Sequence, residues 1–127
     1  MRSIPVKQQV MVAPARPGSP PPESEWIPIT DGSNMDRRPA WSPDGNLLYF
    51  TSERDGFRCI WAQRLVPATK RPDGQPFAVY HVHNARRALH NIETVGEFAL
   101  SAASGRLIFA TAELTANIWM LDMSGKK

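Results

Sequence analysis

His81 and His83 are the one place in this sequence where residue type and spacing together suggest chemistry. Residues i and i+2 of a strand project from the same face, so two imidazoles there could share a divalent transition metal. His90 stands seven residues beyond His83, and no carboxylate lies at a spacing that would complete a ligand set. Two histidines on an exposed strand face answer to the same pattern, and that simpler reading is preferred. No metal and no cofactor is expected, with His81 and His83 kept as the candidate ligands.

Other chemistry finds less support. Ser42 sits in Trp41-Ser42-Pro43-Asp44-Gly45, without a Gly-x-Ser-x-Gly elbow and without a histidine in the motif, so it lacks the surroundings of a nucleophile. Asp44 is expected to bond the backbone of its own turn. Glu93, Glu97 and Glu113 need a fold to bring them together before they can do acid–base work. The chain has no glycine-rich phosphate loop, no Cys-x-x-Cys and no His-Glu-x-x-His. No catalytic residue is expected, and the chain reads as a non-enzyme.

The charge pattern argues the same way. Net charge is +3 over 127 residues, with arginines scattered among acidic residues. A nucleic-acid footprint needs basic residues gathered on one face, so no nucleic-acid partner is expected. Arg37, Arg38, Arg54, Arg86 and Arg87 are candidate contact residues for a protein or peptide, chosen for charge and loop position. The single cysteine, Cys59, excludes an internal disulfide and reads as a small buried residue in a strand. No apolar run reaches the roughly 18 residues of a membrane span. Lys7, Gln8 and Gln9 break up the start of the chain, so no signal peptide is expected in it.

The elements that must position these residues repeat along the chain. Ala40–Gly45, Leu47–Thr51 and Cys59-Ile60-Trp61 are matched by Ala99–Gly105, Leu107–Thr111 and Asn117-Ile118-Trp119. Ser42 to Ser101 is 59 residues, Phe50 to Phe109 is 59, and Trp61 to Trp119 is 58. Three anchors at nearly one offset define a repeat. A weaker copy lies upstream, where Val10-Met11 and Trp26–Thr30 precede Ile60-Trp61 and Pro76–Tyr80 by 50 residues each.

The repeat predicts four strand positions, A to D. The chain opens with C (9–13) and D (26–30), runs through A (39–42), B (46–52), C (58–65) and D (76–82), and closes with A (97–101), B (106–111) and C (117–122). Asp44-Gly45 and Asp55-Gly56 are tight-turn signals, since glycine accepts the positive φ that such turns need. Leu47–Phe50 is continuously apolar, as in a strand covered on both faces. Prolines 17, 20, 21 and 22 make residues 14–25 a loop. Asn84–Asn91 is expected to be a short helix.

Pro39-Ala40-Trp41-Ser42-Pro43-Asp44-Gly45, with Tyr49-Phe50-Thr51-Ser52, Arg54-Asp55-Gly56 and Ile60-Trp61, resembles the repeat of TolB-like propellers, relatives of the WD-repeat proteins. The match is specific over 37–65 and weaker over 95–122, where Ala102 and Ala103 replace the Pro and Asp. The resemblance implies an all-β fold, a partial β-propeller of about two to two and a half four-stranded antiparallel blades. The divisions are a partial blade at 1–36, a complete blade at 37–83, a linker at 84–94 and an incomplete blade at 95–124. Within this motif Trp41, Ser42, Pro43, Asp44, Gly45, Asp55, Gly56, Trp61 and Trp119 read as architecture. Trp61 and Trp119, sharing a repeat position, are expected to pack blade against blade.

Such propellers are often bacterial envelope proteins, which implies a periplasmic or extracytoplasmic setting. They occur alone, behind membrane-anchored serine/threonine kinase domains, and ahead of the hydrolase domains of prolyl-oligopeptidase-like peptidases; for this chain the partners expected are proteins or peptides. A binding module is the preferred reading, with the peptidase and kinase-sensor contexts as alternatives. Too few blades to close a ring leave faces and edges uncovered, so further blades or self-association are expected.

Overall fold

A computed structural model describes residues 8–83, 87–89, 99–113 and 115–120, with the backbone alone at 87–88. The protein is all-β: among these residues the strands pair antiparallel, and helical conformation is confined to a one-turn 3-10 helix at Glu23–Glu25 and to Leu89. None of the described residues forms a helix long and apolar enough to cross a membrane.

The centre is a four-stranded meander, β3 (Arg37–Trp41), β4 (Leu47–Ser52), β5 (Cys59–Leu65) and β6 (Pro72–Tyr80), in the order β3-β4-β5-β6. Its turns follow from the two Asp-Gly pairs. Gly45 (φ 69°) and Gly56 (φ 89°) occupy the left-handed region that a side chain at Cβ disfavours. In the first turn Ser42 N–H donates to the Leu47 carbonyl at 2.9 Å, and in the second Gly56 N–H donates to the Glu53 carbonyl at 2.9 Å. The register of β4 on β5 is then continuous from Leu47↔Arg64 to Ser52↔Cys59.

That register sorts the side chains into two faces. Leu48, Phe50, Trp61 and Leu65 pack with Val10, Val12, Ile27 and Ile29, which belong to β1 (Met11–Val12), β2 (Ile27–Pro28) and their flanks. Ile60 faces the other way and packs with Val82, Leu89, Leu100, Leu107, Phe109 and Ala112. The central sheet is therefore clad on both sides, as the continuous apolar run of β4 requires. Full burial of Leu48, Phe50 and Ile60 contributes about 1.5–3 kcal/mol each.

The second cladding layer is the hairpin of β8 (Leu100–Ala103) and β9 (Arg106–Phe109), with β8 beside β3. A short pair, β7 (Arg87–Ala88) with β10 (Ala112–Glu113), completes it.

Three elements depart from expectation. Strand β6 starts at Pro72, ahead of the expected 76, because a bulge opposite Gln63 is filled by that residue's own amide. Gln63 Nε2 donates to the carbonyls of Asp73 (3.2 Å) and Gly74 (3.1 Å), extending the pairing into a segment that reads as polar loop. Arg87–Ala88 is strand and Leu89 helical, where a helix over 84–91 was expected; residues 84–86 and 90–91 lie outside the described residues. The third is the C strand over 117–122. Residues 117–120 form no strand, and 121–122 lie outside the described residues. Pairing of β10 with β7 draws the chain away from β9 just after Phe109, so it does not return along the β9 edge.

Candidate functional site

The two histidines lie immediately after β6, on either side of Val82. Val82 is buried in the core beneath Ile60 and fixes the direction of its neighbours, so His81 and His83 point together to the opposite side. Ile60 pairs with Tyr80, which carries the chain beyond Tyr80 past Cys59 and the β4–β5 turn. That turn supplies Asp55. Its Oδ2 lies 3.0 Å from His81 Nδ1 and 2.9 Å from His83 Nε2, and the two ring nitrogens are 3.2 Å apart. Below them is the Cys59 sulfur, which accepts the Val82 N–H at 3.3 Å. One ligating atom from each of Asp55, Cys59, His81 and His83 falls within 4.8 Å of all the others.

Neighbours hold these groups in place. Phe57 stacks on the His83 ring at 4.5 Å, and Trp61 meets the His81 ring edge-on at 6.0 Å. Phe57 N–H donates to Asp55 Oδ1 at 3.3 Å, leaving Oδ2 to face the histidines. Burial pushes the Asp55 carboxyl up, but the His83 hydrogen bond and the Phe57 amide together outweigh it and hold the group below its ordinary value. Burial pushes the Cys59 thiol up. Both imidazoles are about half exposed, whereas Cys59 is fully buried, so the cluster opens to solvent on one side only.

Sequence reasoning found His81 and His83 but not their companions. Asp55-Gly56 reads as a turn, which it also is. The available signal was the repeat's own strand order, since adjacent C and D strands must bring the end of D beside the start of C.

The remaining sequence candidates are dispersed. The Ser42 hydroxyl is engaged within its turn: it donates to Asp44 Oδ1 at 2.6 Å and accepts the Leu47 amide at 2.9 Å. Asp44 Oδ1 also accepts the Asn46 amide at 3.0 Å. The Ser42 hydroxyl, with the Asn46 amide, holds the Asp44 carboxyl below the usual range. Pro43 is exposed beside them. Trp41 is 44% exposed, on a shallow hollow with Met11, Pro39 and Leu48.

Among the arginines, Arg38 is exposed, at a positive φ of 55°, and Arg37 is half-buried near Met35. Arg54 corrects an expectation: it is not an exposed contact residue. Its guanidinium lies 4.9 Å from the Trp61 ring and bonds the buried Asp36, because a planar, weakly hydrated cation packs well on aromatic faces. Arg86 lies outside the described residues, and Arg87 contributes backbone to β7. Trp61 joins the first core cluster, but Trp119 does not pack blade against blade. It is 88% exposed, since the strand that would have carried it into a core does not form.

Against this geometry, a scan of protein-family models and searches of curated proteins and of solved structures find no match to the chain.

Proposed function

We propose that the chain is a non-catalytic, propeller-type module that works by binding protein or peptide partners. One observation carries this reading. A four-stranded antiparallel meander is clad on one face by β1–β2 and on the other by β8–β9, with its first strand β3 beside β8. Blades stacked about an axis have this arrangement, with first strands innermost and adjacent. The cladding pairs are also the segments that the sequence repeat relates to the central sheet, which supports a partial propeller of two to two and a half blades.

The binding edge is β9. Its Leu107 and Phe109 turn inward, while Ile108 on the opposite face is 61% exposed. Among the described residues β9 pairs with β8 alone. The segment Ile118-Trp119-Met120 stands nearly fully exposed. An open edge and uncovered apolar side chains take up an added strand, which is how sheet proteins capture extended peptides.

In pure solution the available strand donor is a second copy. Light scattering on a size-exclusion column is expected to give concentration-dependent oligomers that Ile108→Lys returns to monomer. A compact monomer at every concentration, with a sharp high-temperature melt, would overturn the reading.

A further inference from the structure

We propose that Asp55, Cys59, His81 and His83 form a structural site for a divalent transition metal of the zinc class. The claim is independent of the binding reading above, because it rests on one cluster and not on the blade architecture.

The geometry is unsatisfactory as hydrogen bonding alone. His81 Nδ1, His83 Nε2 and Asp55 Oδ2 make a triangle with edges of 3.0, 2.9 and 3.2 Å. If both nitrogens carry protons toward the carboxylate, the two donors are pressed against each other. If either lacks its proton, its lone pair faces the carboxylate oxygen. A cation above the triangle turns all three lone pairs to use. Metal–nitrogen and metal–oxygen bonds of about 2.0–2.2 Å in a tetrahedron set ligand atoms about 3.3–3.5 Å apart, within a few tenths of an ångström of the separations found here.

The fourth position is supplied from below. Cys59 Sγ lies within 4.8 Å of a ligating atom from each of the other three residues, so closing onto a shared metal asks for about 1 Å of movement at the sulfur. Its Val82 N–H donor suits a thiolate, since outer hydrogen bonds of this kind orient a ligand and stabilise its charge. Two imidazoles, one carboxylate and one thiolate are a mixed N, O, S set that favours zinc and cobalt over the hard cations magnesium and calcium.

Three further observations fit a site of this kind. The Phe57 stack and the Trp61 edge hold the rings in place. The Phe57 amide pins the second carboxylate oxygen. The solvent-facing side provides an entry path, while the thiol side is closed. Four protein ligands fill a tetrahedron, so the metal's role is to tie the end of β6 to the β4–β5 turn and to the start of β5. Metal binding that favours the folded chain raises its melting temperature.

The experiment titrates the metal-free full chain with zinc by calorimetry and with cobalt by visible absorption, and follows thermal melting with and without zinc. The expected result is one metal per chain, tetrahedral cobalt bands with a thiolate-to-cobalt charge-transfer band, and a higher melting temperature in zinc. His81→Ala and His83→Ala should each weaken binding by at least about tenfold, the lower end of what even outer-shell losses produce. Both side chains are half exposed, so circular dichroism should find these variants folded. Cys59→Ser should remove the charge-transfer band. Zinc affinity unchanged in both histidine variants, a stoichiometry well below one, or cobalt spectra without the thiolate band would each overturn the site.

Discussion

The Arg54 guanidinium donates to Asp36 Oδ1 at 3.1 Å, joining the residue before β3 to the turn after β4. The Asp36 side chain is fully buried, and Arg54 covers it while lying over Phe50 and Trp61. Removing one member of a buried pair leaves the other charged and unsolvated, which costs about 3–5 kcal/mol. Asp36 Oδ2 has no hydrogen-bond partner among the described residues, so its tolerance for further loss is small. Arg54→Ala is expected to lower stability by about 3 kcal/mol in urea unfolding. Asp36→Asn combined with Arg54→Met should lose less than Arg54→Ala alone, because no charge is then stranded. Additive losses from the two sites would count against the pairing.

Trp61 and Trp119 occupy one repeat position in two different surroundings. Trp61 packs into the first core cluster, and Trp119 is 88% exposed. Trp61→Ala is expected to cost about 3 kcal/mol, as for large buried side chains elsewhere. Trp119→Ala should stay within about 0.5 kcal/mol, the range of surface substitutions. Thermal or denaturant melts of the two variants at low protein concentration measure both. Equal losses would mean that Trp119 enters a core after all.

Acid stability should carry the imprint of the Ser42–Asp44 turn. The Asp44 carboxyl is held below its ordinary value of 3.8 by the Ser42 hydroxyl and the Asn46 amide, so the unfolded chain binds its proton more readily than the folded one. The sign follows. Asp44 contributes fully at pH values above 3.8, and its contribution falls away as the pH drops through the lower folded-state value. Asp44→Asn should therefore melt below the parent protein at pH 6 and approach it at pH 2. A gap that widened on acidification would contradict the hydrogen-bonded turn.

The central sheet was legible in the sequence because its signals are local. Asp44-Gly45 and Asp55-Gly56 dictate turns, and Leu47–Phe50 between them demands cover on both faces. The start of β6 was hidden because a side chain, Gln63, substitutes for a backbone partner at the bulge, and no spacing rule announces that. The final C strand failed for a different reason. Ile118-Trp119 repeats Ile60-Trp61, but a strand needs a neighbouring edge within reach, and the β7–β10 pairing takes the chain elsewhere.

At the site, His81 and His83 were legible from their period of two. Asp55 and Cys59 were not, because the Ile60↔Tyr80 register alone brings them near. Arg54 misled because charge suggests water, whereas its guanidinium lies over the Phe50 and Trp61 rings.

The full burial of Cys59 gives the molecule a built-in clock. It is the only thiol in the chain, it has no exposed surface, and its sulfur is held by the Val82 amide. A disulfide reagent can reach it only in moments when the segment after β6 lifts from β5. The speed of its modification thus times that opening separately from unfolding of the whole sheet. Any ligand that pins His81 and His83 would slow the clock without touching the rest of the fold.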